Sequence, residues 1–313
     1  MKNKILKILE SAAGPISGEI IGKDLGITRI AAWKHIQGLI RLGYHIETSS
    51  GGYFLLEPGD FLYPWEFNLN EYDVIFQNML NSTMDEAKCK KYLQKDTHMI
   101  FISDSQTAGR GRMGRIWESQ EGGLYFTVNI KKKIHAELLW RYSIAAVTAL
   151  AEVLNKKFGI SASVKWPNDV FVGYGKIAGV LIDTQISGGM AEWVNIGIGL
   201  NVNNSPKEEK AISMKELTGK TFFRKEILSC FIHCFNDYLK SPFLNDAIDK
   251  WKAMSNTLGQ RVIMHTYAGE KFLGTALDID ENGGLMVKGN NGKIKSFLYA
   301  DCYHIGNNNR VMG

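Results

Sequence analysis

The stretch Gly109-Arg-Gly-Arg-Met-Gly114 lies between two strand-like runs, and that setting limits the possible folds more than any other feature of the chain. Its letters fit G-x-G-x-x-G, the turn that opens many dinucleotide-binding folds, and it follows the apolar run His98-Met-Ile-Phe-Ile-Ser103. Such a turn must, however, open a helix, with an acidic residue roughly 20 positions on to hold a ribose. Here a glycine pair, Gly122-Gly123, leads into Leu124-Tyr-Phe-Thr-Val-Asn-Ile130, a β-branched and aromatic run that reads as strand. Residues 131 to 134 are Lys-Lys-Lys-Ile, with no carboxylate at the required place. The dinucleotide turn is excluded.

What remains is a loop in which Arg110, Arg112 and Arg115 interleave with Gly109, Gly111 and Gly114. Three guanidinium groups on a backbone free to take positive φ suit an anion clamp. A solvated basic surface loop has the same composition.

A length of 313 residues implies two or three domains, and 45% hydrophobic with 22% charged residues excludes a chain dominated by disorder. No apolar run reaches the roughly 18 residues of a membrane span. Lys7 and Glu10 interrupt what would have to be the apolar core of a signal peptide, so a cytoplasmic protein without membrane attachment is expected. Four cysteines, with no CxxC pair, indicate no disulfide framework. Cys230, His233 and Cys234 share a helical face but sit inside an apolar run, so burial explains them better than a metal, and no metal site built from protein ligands is assigned.

Residues 1 to about 57 read as three short helices and a hairpin. Ser17 is an N-cap for a helix from Gly18 to Leu25, Gly26 makes a turn, and Thr28 caps a third helix that ends before Gly43. Two strands then flank Ser49-Ser-Gly-Gly52, completing the plan of a winged helix-turn-helix. The 3.6-residue period buries Ala32, Ile36, Leu39 and Ile40 and leaves Arg29, Trp33, Lys34, Gln37 and Arg41 outside, with His35 beside them. Residues 1 to 60 hold 7 Lys+Arg against 6 Asp+Glu, so DNA binding would have to come from charge orientation or from dimerisation.

Pro58 to Pro64 is a linker, and a long α/β segment follows to about residue 256: a helix near 82 to 95, strands at 98 to 103 and 124 to 130, a helix at 137 to 157, further strands at 161 to 166, 170 to 183 and 192 to 202, then helices from about 224. Short strands separated by Gly/Asn turns fill the last fifty residues, the signature of a small β-barrel. Within the α/β segment, Lys165-Trp-Pro-Asn-Asp169 puts a cation, an amide and a carboxylate in five residues, and Lys176 returns from a glycine-bracketed turn. The strand Asn195-Ile-Gly-Ile-Gly-Leu-Asn-Val-Asn203 carries glycines where a ligand could approach the backbone.

Ser82-Thr83, Gln106 to Trp117, Lys165 to Asp169, Lys176 to Gly179 and Gly197 to Asn203, in this order, resemble the motifs of biotin protein ligases. With the N-terminal winged helix, the chain looks like the bifunctional kind that also represses biotin-synthesis genes. The resemblance spans nearly the whole chain, and five motifs in register are far more specific than any one of them. It implies an α+β multidomain protein: a winged helix-turn-helix over 1–62, a central mixed α/β class II synthetase-like biotin ligase domain over 63–256, and an SH3-like β-barrel over 257–313, in which no residue shows a chemical role. It implies a ligase that makes biotinyl-5′-AMP from biotin and ATP with Mg²⁺, then biotinylates a lysine of a biotin carboxyl carrier protein.

By the same resemblance the catalytic residues are Arg112, Lys176, Arg115 and Asp169, with Asp169 orienting or deprotonating the acceptor lysine, or else pairing with Lys165 to hold the turn. The biotin contacts are Ser82, Thr83, Met84, Gln106, Gly109, Arg110 and Gly111, together with Arg112 and Lys176. The ATP contacts are Arg112, Arg115, Trp117, Lys165, Asn168 and Asn201, with Mg²⁺ arriving on ATP; Trp117 stacks on adenine or packs in the core. Operator DNA falls to the segment from Gly18 to Gln37, above all Arg29, Lys34 and Gln37, and a homodimer is expected. The alternatives are a transcriptional regulator that senses biotin without ligating it, and a lipoate-type acyl ligase.

Overall fold

The computed structural model describes residues 1–305 and 311–312, and the chain divides into two compact units, Met1–Asn68 and Leu69–Gly313.

In the first unit α1 (Lys2–Ser11), α2 (Gly18–Leu25) and α3 (Arg29–Arg41) precede the antiparallel pair β1 (Ile46–Ser49) and β2 (Gly52–Leu55). The caps form as the sequence requires. Ser17 Oγ accepts the Ile20 N–H at 3.3 Å, Thr28 Oγ1 accepts the Ala31 N–H at 3.1 Å, and Gly26 takes a left-handed φ of 65° between the two helices. Ile5, Leu9, Ile21, Ala32, Ile36 and Leu39 form the core, while Ile40 is only half-buried. Phe61, Tyr63 and Trp65 pack on this core, and the Trp65 indole N–H donates to the Tyr44 hydroxyl at 2.9 Å. The compact unit runs to Asn68.

The second unit is built on a seven-stranded mixed sheet. Its strands are β3 (Tyr72–Leu80), β4 (His98–Gln106), β5 (Leu124–Ile130), β7 (Ala162–Lys165), β8 (Asp169–Val172), β9 (Gly175–Asp183) and β12 (Val194–Leu200), in the order β3-β4-β5-β12-β9-β8-β7. β3 and β4 run parallel and every other neighbouring pair antiparallel. A small three-stranded sheet joins β6 (Ile134–His135), β10 (Ile186–Ser187) and β11 (Met190–Ala191). The expected helix over 82 to 95 is two single turns, α4 (Thr83–Glu86) and α5 (Lys90–Leu93), each starting from an extended residue, Ser82 and Cys89. β3 gave no clear period-two signal, because five of its nine residues are only partly buried.

The helices α6 (Leu139–Phe158), α8 (Arg224–Lys240) and α9 (Asn245–Met254) pack together, with the short α7 (Met214–Thr218) preceding α8. The Phe231 ring of α8 meets Phe126 of β5 edge-on at 5.3 Å, so the helices cover the face on which Phe126 and its partner Ile198 lie. Thr127, Gly197 and Gly199 alternate onto the opposite face. Among the described residues no helix is long and apolar enough to cross a membrane.

The last strands, β13 (Arg261–Thr266), β14 (Lys271–Ile279), β15 (Leu285–Gly289), β16 (Ile294–Phe297), β17 (Ala300–Ile305) and β18 (Val311–Met312), form an antiparallel sheet in the order β16-β15-β14-β13-β17-β18. The expected barrel is therefore open among the described residues. Only Leu298 and Tyr299 link β16 to β17, yet among the described residues no ladder pairs these two strands.

Glu152 holds the helical layer. Its buried carboxylate accepts from Lys156, from the Tyr238 hydroxyl at 2.6 Å and from Lys250 at 3.1 Å, and Cys234 Sγ lies 3.5 Å away. Cys234 is thus committed to Glu152, and burial followed by that carboxylate pushes its thiol up to about 12, while His233 is exposed. Burial alone would raise the Glu152 carboxyl, but the bonds from Lys156, Tyr238 and Lys250 outweigh it and hold it at about 2, below its ordinary 4.5. A depressed folded value means stability that is present above pH 4.5 and lost as pH falls toward 2. Between about pH 5 and pH 2.5 the urea unfolding free energy of the wild type should fall by about 2 kcal/mol more than that of Glu152→Gln; parallel pH dependences would show that this carboxylate is not depressed.

Candidate functional site

A cavity of about 420 Å³ opens on the glycine face of the seven-stranded sheet. Six cationic side chains line it, Arg110, Arg112, Arg115, Lys165, Lys176 and Lys210, against three carboxylates, Asp169, Glu208 and Asp301. Positive charge therefore exceeds negative within one concave, partly desolvated space, which favours an anion.

The floor explains the glycines of β12. A Cβ at Gly199 would lie 2.3 Å from Trp117 Nε1, and one at Gly197 would lie 2.4 Å from Met84 Sδ. The space that these glycines leave is filled by an indole and a thioether of the protein. A Cβ at Gly179 on β9 would come within 3.1 Å of the same indole. Trp117 Nε1 is buried with no acceptor among the described residues.

The arginine loop is an ordered hairpin. Bridges pair Gln106 with Ser119 and Arg110 with Ile116, and the Gly111 N–H donates to the Arg115 carbonyl at 2.7 Å. Positive φ occurs at Met113 (59°) and Gly114 (71°), at the tip. Gly111 is extended, and Gly109 is needed for space, because a Cβ there would meet the Trp117 carbonyl at 2.3 Å.

Each arginine engages a different element. Arg110 pairs with Asp85 of α4 at 2.7 Å, Arg112 donates to Asn168 at 3.5 Å and to the Tyr267 hydroxyl at 3.3 Å, and Arg115 pairs with Asp301 of β17. The Asp301 carboxylate, ahead of the opposing effect of burial, raises the Arg115 pKa, so the guanidinium stays charged. The C-terminal sheet, which showed no chemical residue in its sequence, thus supplies Asp301 and Tyr303 to the cavity wall and Tyr267 to the loop.

At the apolar end the polar groups are fixed by one another. Ser82 caps α4 through Met84 N–H at 3.2 Å, and Gln106 Oε1 accepts from Thr83 N–H at 2.8 Å and from its hydroxyl at 3.2 Å. Gln106 Nε2 donates to Ser119 Oγ at 2.7 Å, and Thr127 donates to Thr83 Oγ1 at 2.8 Å. At the other end Asp169 pairs with Lys176, at 2.9 Å, and not with Lys165. Lys176 Nζ also stands 5.2 Å from the Trp117 ring centroid. Lys165 is buried with its Nζ 4.9 Å from the Phe171 ring, and burial pushes its pKa down.

Of the residues singled out from the sequence, Ser82, Thr83, Met84, Gln106, Arg110, Gly111, Arg112, Arg115, Trp117, Lys165, Asn168, Asp169 and Lys176 line this one cavity. Gly109 lies outside the lining. Asn201 is buried elsewhere, where its Oδ1 accepts from Asn204 Nδ2 at 3.0 Å. Glu208, Lys210, Asp301 and Tyr303 join the lining with no sequence signal to mark them.

In the first unit Arg29 and Lys34 are exposed on α3, Gln37 is half-buried, and Ile30 and Trp33 are exposed beside them at 68% and 47%.

Residues 76–203 match the Biotin/lipoate A/B protein ligase family, residues 2–54 an HTH domain, and residues 257–305 the Biotin protein ligase C terminal domain. The chain is 30% identical to the bifunctional ligase/repressor BirA of Bacillus subtilis, with 96% of this chain and 98% of that protein covered. It is 27% identical to the protein of the same description from Escherichia coli, covering 90% of each. Among solved structures it is similar to the biotin protein ligase of Aquifex aeolicus in complex with biotin and ATP, at a TM-score of 0.60 and 29% identity, covering 74% of this chain and 97% of that one.

The glycine floor can be tested without any ligand. Gly199→Val should drive the Trp117 indole off the sheet and shift its emission to the red, a change absent when the same substitution is made on a Trp117→Phe background. Identical difference spectra on the two backgrounds would mean that Trp117 does not rest on Gly199.

Proposed function

The chain belongs to the bifunctional biotin protein ligase/repressor family, and from that premise we propose how its residues divide the work. The protein is an ATP-dependent biotin protein ligase joined to a repressor. The biotin carboxylate attacks the α-phosphate of ATP, pyrophosphate leaves, and the resulting mixed anhydride is attacked by a lysine amine of a biotin carboxyl carrier protein, releasing AMP. The observation that carries the assignment is the Lys176–Asp169 pair beside Arg112, in a cavity where cations outnumber carboxylates.

The first step brings two anions together, and like charges about 4 Å apart repel by about 4 kcal/mol at an effective dielectric near 20. Arg112 and Lys176 offset that repulsion at the biotin carboxylate and α-phosphate, and Arg115 and Lys165 take phosphate charge. Because Thr83 is already hydrogen-bonded to Gln106, and Ser82 to the Met84 N–H, these side chains present fixed groups to the ureido ring, and Met84 gives the thioether wall beside it. The backbone of Gly111 and the side chain of Arg110 close the loop over biotin. Trp117 offers a ring for adenine, and Asn168 a polar contact to the nucleotide. Asn201 supports this end of the site from outside the lining. Mg²⁺ arrives with ATP as part of the substrate.

In the second step the acceptor amine must lose a proton. Asp169 receives it while its bond to Lys176 keeps the carboxylate pointed into the cavity. Arg29, Lys34 and Gln37 of α3 face operator DNA, the protein acts as a homodimer in the cytoplasm, and the C-terminal sheet is a domain in its own right that holds the arginine loop.

Biotin-dependent exchange of labelled pyrophosphate into ATP tests the first step, with lipoate and octanoate as parallel substrates. Exchange with biotin alone is expected, and Lys176→Ala should lower it about 100-fold or more. Failure of the folded wild type to exchange with any acid would leave only a sensing role. An Arg29→Ala/Lys34→Ala variant should bind operator DNA roughly tenfold more weakly, or worse, with exchange unaltered; wild-type operator affinity would remove α3 from the DNA interface.

A further inference from the structure

Lys210 lies between β12 and α7, in a segment that belongs to none of the motifs above. That segment is fastened along its length. The Lys207 N–H donates to the Glu118 carboxylate at 3.2 Å, the Lys176 N–H donates to the Lys210 carbonyl at 2.6 Å, and the Ile212 N–H donates to the Lys176 carbonyl at 3.0 Å. The Ile212 side chain fills the place of a Cβ at Gly175, 2.6 Å from it. Both main-chain polar groups of Lys176 are therefore held by the residues on either side of Ala211, and Lys210 itself lines the cavity.

The cavity cations differ in how far they are already committed. Arg110, Arg115 and Lys176 are each paired with a carboxylate, respectively Asp85, Asp301 and Asp169. Among the described residues no carboxylate lies within ion-pair distance of Lys210, although Glu208 lines the same wall. Its charge reaches the interior of the site: after burial and alongside Lys176, Lys210 is among the groups that lower the Lys165 pKa. An uncommitted ammonium on an anchored segment beside two other lysines is suited to a polyanionic group, not to the single carboxylate of biotin.

We propose that Lys210 is a phosphate-binding residue of the adenylation step, its ammonium taking the charge that collects on the β- and γ-phosphates as the bond from the α-phosphorus to the bridging oxygen breaks. Its carbonyl meanwhile holds Lys176 in register. This rests on the ligase reading above. The electron pair of the broken bond leaves with pyrophosphate, and the new bond is from the biotin carboxylate oxygen to the α-phosphorus, so Lys210 holds the same two phosphates in bound MgATP and in the departing pyrophosphate.

The test compares full-length wild type, Lys210→Met and Lys210→Arg in biotin-dependent pyrophosphate exchange, and in transfer from synthetic biotinyl-5′-adenylate to a biotin carboxyl carrier domain. Lys210→Met should raise the KM for MgATP about tenfold or more and weaken inhibition by pyrophosphate, with the KM for biotin and transfer from the preformed adenylate unchanged. Lys210→Arg, which keeps the charge, should stay within about threefold of wild type on MgATP. A wild-type KM for MgATP in Lys210→Met would overturn the proposal. So would equal damage in both variants with weakened biotin binding, which would leave only the main-chain role. If the wild type itself gives no exchange, the ligase reading fails first and Lys210 falls with it.

Discussion

The cavity side of the molecule rests on two side chains that are missing. Gly197 and Gly199 alternate onto one face of β12, and without Cβ atoms that face lets Met84 and Trp117 lie against the main chain. Trp117 fixes the returning strand of the arginine hairpin, and Met84 fixes the single turn that Ser82 caps. The loop and the short helix therefore take their height above the sheet from the same bare strip. A side chain at either glycine would lift its partner, and the polar set anchored by Gln106 and Thr83 would move with Met84.

The hairpin itself shows how a basic loop is held by groups of the protein. Its three guanidinium groups are shared out to α4, to β17 and to the pair Asn168 and Tyr267, so that no two rely on the same anchor. Two of these anchors belong to the C-terminal sheet. That is a physical reason for a C-terminal sheet with no chemistry in its own sequence: it supplies one counter-charge, Asp301, and one hydroxyl, that of Tyr267, to a loop that would otherwise carry less screened positive charge.

How much of this could be read from the sequence varied with the range of the interaction. Caps and turns are local, and Ser17, Thr28 and Gly26 act as their residue types demand. The site motifs were legible because each packs its chemistry into a few residues, as Lys165 to Asp169 does. The partners of those residues were not. Asp169 pairs across the β8–β9 ladder with Lys176, where its sequence neighbour Lys165 was the obvious choice. Asp301, Tyr267 and Lys210 enter the site through tertiary contacts with no spacing to announce them. Asn201 belongs to a motif strand, yet it lies past the end of β12 at Leu200, where its side chain turns to Asn204 and not to the cavity. That the barrel is open among the described residues could not be read either, because strand propensity sets the number of strands and says nothing about whether the last ladder forms.

The charge imbalance in the cavity also bears on stability. Six cations and three carboxylates around one space bring like charges near one another, and desolvation of Lys165 adds to the cost. Such an arrangement survives because the rest of the unit over-determines it: the Glu152 cluster ties α6, α8 and α9 together, and the buried strands β5 and β12 pair along their full length. An anion brought among these cations offsets their mutual repulsion, so the charge imbalance favours a polyphosphate ligand. On the proposed division of the site, discrimination follows from geometry: a ligand must bring negative charge to Arg112 and Lys176 and, at the same time, groups that meet the preset hydrogen bonds of Ser82, Thr83 and Gln106. A molecule that satisfies one end alone leaves the other end's penalty in place.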